Sequence, residues 1–242
     1  MKVLLLAAGR GKRLGKVSEG INKCLLLVQN KPLIEYSLDA VAALAAVSEI
    51  VIVVGYKAQD IIARYGSAYR GKPIVYVRQG EQHGLVHAIE CAKLALGASD
   101  FMLMLGDEFM VNARHAEFIE AFGRERAFAL CGVVSVADKS LISKTYSVLE
   151  LPDGRIVRLI EKPAKPLNNI MGTGNCIFKN EILSYINRTP INQSRQEKEL
   201  PDLIQCAVDD GHMVKTFSIC TEYINVNSQE ELNKTTSYFA HL

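Results

Sequence analysis

With 242 residues, a net charge of +2, 49% apolar and 22% charged residues, the chain can bury a sizeable core and has no charge excess of the kind that marks a bulk nucleic-acid or acidic-membrane binder. No apolar run approaches the ~18 residues of a membrane span, and one lysine followed at once by an apolar strand does not read as a secretory leader. Six scattered cysteines (Cys24, Cys91, Cys131, Cys176, Cys206, Cys220) form no Cys-x-x-Cys pair, so they read as reduced core thiols of a cytoplasmic protein and not as a disulfide framework.

Val3–Leu6 is too short for a helix and too branched for a loop, so it reads as a buried strand. It empties into Ala7-Ala8-Gly9-Arg10-Gly11-Lys12-Arg13-Leu14, a small-residue turn with two glycines and three cations, with Lys23 following. Asn22–Val28 is a second apolar stretch. Pro32–Val47 has apolar residues at helical spacing and begins on a proline, which suits a helix start. Glu49–Val54 is a strand, Ala58–Tyr65 a helix, Ile74–Val77 a strand, Arg78–Gly84 a polar loop, Leu85–Leu96 a helix and Phe101–Leu105 a strand that stops at Gly106-Asp107. This alternation, with continuous apolar strands, predicts a parallel sheet covered on both faces.

After about residue 125 the character changes. Ala127–Val136 is a long apolar strand, and Tyr146–Leu151 and Arg155–Ile160 form a hairpin around Pro152-Asp153-Gly154. Thr173–Phe178 is a strand, Lys179–Ile186 a helix, and Ser194–Asp210 contains a helix that includes Pro201. Met213–Ser218 and Glu222–Asn225 read as strands. Ser228–Phe239 reads as a closing helix with a capping box between Ser228 and Glu231. No linker or repeat interrupts the chain. The expected organisation is one α/β domain, residues 1–242, with a nucleotide-binding half at about 1–125 and a half richer in antiparallel strands at about 126–242.

A strand that ends in a glycine-rich cationic turn is a device for holding phosphates: glycines admit backbone N–H groups and cations neutralise charge. The dinucleotide fingerprint is excluded, because Leu14 occupies the place of its third glycine and Gly55-Tyr56-Lys57 follows the second long strand where an acidic residue is needed. A Walker loop is excluded too, since Arg13 follows Gly11-Lys12 and supplies no hydroxyl. His83 and His87, four apart, read as loop and helix residues and not as a metal pair.

Ala7, Ala8, Gly9, Gly11, Arg13 and Leu14 after an N-terminal strand, with Lys23 about ten residues on, resemble the signature of the sugar-1-phosphate nucleotidylyltransferases, also called NDP-sugar pyrophosphorylases. The family's usual proline before the lysine is here Asn22. Further segments agree in order: Lys31–Tyr36, Gln79–Ala88, Leu105-Gly106-Asp107, Asp153-Gly154 to Glu161-Lys162-Pro163, Glu199–Ile204 with Pro201 for threonine, and Asn225–Leu232. The resemblance implies a Rossmann-like, mixed and mostly parallel sheet flanked by helices (the GT-A-like nucleotidyltransferase fold) with an antiparallel sugar-binding part.

It implies that the phosphate of a sugar 1-phosphate attacks the α-phosphorus of an NTP and displaces pyrophosphate. The nucleophile is already an anion, so positioning and charge stabilisation suffice. Arg13, a planar fork whose charge cannot be titrated away, is the expected grip on the β- and γ-phosphates, and Lys23 the cation at the α-phosphate. Arg10 and Lys12 are weaker candidates. Leu6, Ala7, Ala8, Gly9 and Gly11 line the nucleotide site, with Gln79 and Gly84 as the base readers. The form of residues 84–88 is closer to uridylyl- and thymidylyltransferases, which favours UTP or dTTP, with CTP next.

Asp107, together with Asn225 or Asn227 where the family usually has aspartate, is the expected ligand set for Mg²⁺. Glu161 and Lys162 resemble the sugar-phosphate pair, and Ser147, Gly172, Thr173 and Asn175 fall where relatives line the sugar pocket. Ser147 and Asn175 depart from the family pattern and leave the acceptor open. Two alternatives follow: a cytidylyltransferase acting on a non-sugar phosphate or phosphonate, and a non-catalytic nucleotide-sugar-binding homologue motivated by the two asparagines. The expected partners are the NTP and sugar 1-phosphate, with a homodimer as the assembly and no nucleic acid or membrane.

Overall fold

A computed structural model of the chain describes residues 1–11, 13–15 and 19–238; the candidate cation Lys12 and the helix residue Phe239 lie outside the described residues. In chain order the elements are β1 (Lys2–Ala7), β2 (Leu27–Val28), β3 (Lys31–Pro32), α1 (Leu33–Ala42), β4 (Glu49–Val54), α2 (Ala58–Tyr65), β5 (Ala68–Tyr69), β6 (Lys72–Arg78), α3 (Gly84–Cys91), α4 (Lys93–Leu96) and β7 (Phe101–Leu105). They continue with β8 (Glu108–Val111), α5 (His115–Glu125), β9 (Ala129–Ser135), β10 (Tyr146–Glu150), β11 (Ile156–Glu161) and β12 (Ile170–Phe178). The last are β13 (Ile191–Asn192), β14 (Glu197–Lys198), α6 (Leu200–Asp209), β15 (Val214–Ser218), β16 (Glu222–Asn225) and α7 (Gln229–Tyr238).

β1 lies between β4 and β7 and runs parallel to both, and β6 extends the parallel array beyond β4. β1, β4 and β7 are apolar beyond the charged first residues of β1 and β4 because both faces are covered, whereas β6 is part exposed. Leu5, Ile52 and Met104 pack on one side with Ile34 and Leu38 of α1; Leu4, Val51 and Leu103 pack on the other with Ile89 of α3 and Ile204 of α6. The second half of the chain joins the same sheet with the opposite sense. β12 pairs antiparallel with β7, β9 and β10, and β10 pairs antiparallel with β11. β15 runs parallel to β9. Among the described residues this makes one ten-stranded sheet, mixed and mostly parallel in its first half.

A third cluster sits outside the sheet. Leu14, Leu26, Val28, Leu33, Phe109, Ile224, Val226 and Leu232 pack together and tie the glycine-rich turn to the β8–β16 ribbon and to α7. Leu14, which removes the dinucleotide fingerprint, is thus a buried knob, 4% exposed.

Four of the expected helices are shortened, broken or changed in type. The helix expected over 32–47 is α1, with Pro32 as its N-cap and Ala43 closing it. The helix expected over 85–96 breaks at Ala92, whose φ of −82° and ψ of −5° end α3 and begin α4. Residues 179–186 form a 3-10 helix, Asn180–Tyr185, and not an α-helix. Residues 194–199 belong to a β13–β14 hairpin with Gln196 at φ 55°, and the helix begins only at Leu200, with Pro201 in its first turn where a missing N–H costs nothing. β8 and α5 carried no sequence expectation.

Leu14→Ala should lower unfolding stability by about 2–4 kcal/mol in urea titration, the usual cost of truncating a buried leucine. An unchanged midpoint would remove Leu14 from the core.

Candidate active site

The C-terminal ends of the parallel strands converge on one edge, where open α/β sheets place their ligands. Ala8 follows β1, Gly55 follows β4, Gln79 follows β6 and Gly106-Asp107 follows β7. Asn22 joins three of the segments at this edge. Its side chain is fully buried, donates to Ala7 O (3.0 Å) and Tyr56 O (2.7 Å), and accepts from Cys24 N–H (2.8 Å). It also caps the 3-10 turn Lys23–Leu25, so it aims Lys23. Its φ of −69° is one that proline also adopts, but its amide adds three hydrogen bonds that proline lacks.

Lys23 is 7% exposed, and its ammonium pairs with the Asp107 carboxylate. The same Nζ donates to Asn227 Oδ1 at 3.0 Å, and Arg13 Nη2 donates to that oxygen, also at 3.0 Å. Asn227 Nδ2 in turn donates to Asn225 Oδ1 at 2.6 Å. The five residues expected at the phosphates and the metal therefore lie together: Arg13, Lys23, Asp107, Asn225 and Asn227. Gly11 has φ +68°, and a Cβ there would sit 3.0 Å from Lys23 Cβ, so glycine lets the turn fold over the lysine stem. Leu6 and Ala7 are buried in β1, Ala8 O accepts from Tyr56 N–H and the Gln82 amide, and Gly9 has open space where a Cβ would stand. Arg10 lies over the Tyr56 ring, 5.1 Å from its centroid.

Gln79 is buried at the end of β6. Its amide nitrogen is 3.0 Å from Gly84 O and 3.1 Å from His87 Nδ1. Gly84 has φ +86° at the start of α3, and a Cβ there would meet Glu197 at 2.7 Å.

A cavity of about 230 Å³ opens beside this cluster. Arg13, Asn225 and Asn227 line one end, and Glu161, Lys162, Gly172 and Thr173 its other walls. Glu161 Oε1 is 3.2 Å from Lys162 Nζ and 2.6 Å from Arg195 Nη2, and Arg195 also pairs with Glu199 at 2.7 Å. Burial pushes the Glu199 carboxyl up, and nearby Glu161 adds to it. Gly172 has no side chain because the Tyr146 ring lies against it; a Cβ would fall 2.0 Å from a ring carbon.

Two expected pocket residues do not line this cavity. Ser147 is buried in the sheet beside Tyr146, on the alternate face of β10, and its hydroxyl finds no partner among the described residues. Asn175 turns behind the cavity after the register shift in β12. It donates to Glu108 Oε2 at 2.7 Å, and its oxygen lies 3.0 Å from His115 Nε2. Burial drives the Glu108 carboxyl up to about 8, against hydrogen bonds from Tyr223, Gly174 N–H and Asn175.

Sequence reasoning missed Arg195, Glu199, Glu108 and the role of Asn22. Arg195 had one usable signal: Pro201 marks the helix start, which leaves 194–199 as a loop whose cation precedes the run Glu197-Lys198-Glu199.

Residues 2–222 match the profile of the family described as nucleotidyl transferase. A UTP–glucose-1-phosphate uridylyltransferase of Haloferax volcanii is 35% identical over 221 residues, covering 90% of this chain and 88% of that protein. A glucose-1-phosphate thymidylyltransferase of Streptomyces griseus is 32% identical over 240 residues, covering 97% of this chain and 65% of that protein, so the chain spans about two thirds of that relative's length. Among solved structures, a UDP-glucose pyrophosphorylase in complex with UDP-glucose superposes with a TM-score of 0.86 at 21% identity, over 99% of this chain and 98% of that one. A UTP-bound UGPase from Acinetobacter baumannii gives 0.79 at 22% identity, over 98% and 92%. At these identities the structural likeness establishes the fold.

Asn22→Ala should strip partners from Ala7 O, Tyr56 O and Cys24 N–H together. The expected loss is about 3 kcal/mol or more in thermal or urea unfolding, from leaving buried backbone groups unsatisfied. A loss under about 0.5 kcal/mol, within the range of an ordinary surface substitution, would contradict the clamp.

Proposed function

The chain belongs to the nucleotidyl transferase family, and on that premise we propose that it transfers a nucleotidyl group from UTP or dTTP to a sugar 1-phosphate, giving an NDP-sugar and pyrophosphate. The observation that carries this reading is the meeting of Arg13 and Lys23 on one oxygen of Asn227, beside Asp107 and at the mouth of a cavity lined by Glu161 and Lys162. Arg13 and Lys23 at one end and Lys162 and Arg195 at the other bracket the space where three phosphates and an attacking phosphate must meet. The named activities of the two relatives, glucose-1-phosphate uridylyl and thymidylyl transfer, support the same acceptor class.

Arg13 grips the β- and γ-phosphates and stabilises the departing pyrophosphate. Lys23, turned from Asp107 and Asn227 toward the α-phosphate, offsets the charge that accumulates there. Lys162 and Arg195 hold the acceptor phosphate, and Glu161 takes sugar hydroxyls. Acting through position, these groups bring two anions together in line, which neither would do in water.

The donor set suits Mg²⁺: Asp107 and Asn225 offer hard oxygens, one of them charged, next to the phosphate positions. Asn225 is the better amide ligand, since among the described residues its oxygen accepts only a neutral amide N–H while that of Asn227 already accepts from two cations. When bound, the ion would supply charge stabilisation on the phosphate oxygens, with Asp107 and Asn225 holding it. Asn225 contributes no charge, so binding should be weaker than at a two-carboxylate site. An NTP substrate and free thiols at all six cysteines support a cytoplasmic setting. We assign residues 1–125 to the nucleotide half and 126–242 to the acceptor half of one domain, with Arg13 and Lys23 reaching across to Asn227.

The test is pyrophosphate release across NTP and sugar 1-phosphate pairs with Mg²⁺. Arg13→Ala and Asp107→Ala should each cost about 10²–10³ in kcat, the scale of losing one preorganised charge-stabilising group. No release with any pair would overturn the assignment. Asn225→Asp should lower the Mg²⁺ concentration needed for half-maximal activity, and an unchanged or raised requirement would move the ligand elsewhere.

A further inference from the structure

Gly84, Gln79, His87 and Cys91 form a hydrogen-bonded line at the junction of β6 and α3 whose polarity can be assigned from one end. Gly84 O is a carbonyl and only accepts, so the Gln79 atom 3.0 Å away is the amide nitrogen. The same nitrogen lies 3.1 Å from His87 Nδ1, so Nδ1 accepts as well, and the imidazole proton sits on Nε2. Nε2 is 3.7 Å from Cys91 Sγ, a weak acceptor placed for that proton. The packing of the His83 ring edge-on to His87, with centroids 5.3 Å apart, fixes the ring from the loop side. Both amide hydrogens of Gln79 are then committed inside the protein. Among the described residues no donor reaches its carbonyl oxygen.

We propose that His87 is a positioning residue for base selection: by accepting from Gln79, it holds that amide so that only its carbonyl oxygen is left to meet a base. Uracil and thymine present an N3–H donor to such an oxygen. Cytosine presents a lone pair at N3 and is refused. This deepens the reading of Gln79 as the base contact and rests on it. His87 touches neither the base nor the phosphates in this scheme. It removes the alternative in which the amide turns over and offers its N–H groups outward.

The test is kcat/KM for UTP, dTTP and CTP with one acceptor, measured in the wild type, His87→Leu, His87→Asn and Gln79→Ala. The wild type should prefer UTP or dTTP over CTP. His87→Leu should narrow that preference about tenfold, the scale of one hydrogen bond, chiefly through a higher KM for UTP with kcat little changed. His87→Asn, which keeps an acceptor near the place of Nδ1, should restore most of the preference, a rescue that a purely structural role for the ring would not give. A wild type that prefers CTP overturns the inference, as does a His87→Leu protein that is folded and keeps the full preference. If Gln79→Ala also leaves base choice untouched, Gln79 is not the base contact; if Gln79→Ala abolishes the preference while His87→Leu does not, only the role of His87 fails. Should His87→Leu not fold, the Asn variant carries the decision: loss of preference there also counts against a role as acceptor.

Discussion

The arrangement of the site depends on keeping the ammonium of Lys23 almost out of water. Such a burial is costly unless the charge is paired and its protons are taken up. Asp107 supplies the opposite charge and Asn227 a neutral acceptor, and these come from the end of β7 and from the last tenth of the chain. Lys23 itself is aimed by Asn22, whose amide is bonded to the loops after β1 and β4. One buried cation therefore requires four separate stretches of chain to be in register. Rupturing any one of them would leave Asp107 or Lys23 buried and uncompensated, a larger penalty than the pair's own net worth.

Much of this was readable in the residues because it is local. β1, β4 and β7 are apolar runs with small residues at their ends, and the turn from Ala7 to Leu14 carries its glycines and cations in eight consecutive positions. The parallel sheet, the glycine-rich cationic turn and Asp107 at the end of β7 follow from such short-range pattern. Asn22 was legible only as a departure, because its partners Ala7 and Tyr56 are fifteen and thirty-four residues away.

The acceptor side was read less well, for a reason of geometry. Positional likeness assigns Ser147 and Asn175 to the sugar pocket, but strand alternation puts Ser147 on the opposite face from Tyr146, and the register shift in β12 swings Asn175 onto Glu108 and His115. Two extra residues in β12, between Gly172 and Cys176, change which side chains face the cavity without leaving a mark in composition. Arg195 was hidden differently: its surroundings have helical spacing, and only the left-handed Gln196 turns them into a hairpin that brings the guanidinium between Glu161 and Glu199.

The capping box at the start of α7 forms with a displacement. Ser228 Oγ accepts from Glu231 N–H, but Glu231 reaches past Ser228 to the backbone N–H of Asn227 and also pairs with Lys144 on the cavity rim. The carboxylate that starts the helix is thus mechanically in series with the oxygen shared by Arg13 and Lys23. Rotation of α7 about its first turn would shift that oxygen and the cavity rim at once, so the pose of this helix and the geometry of the site are set by one carboxylate.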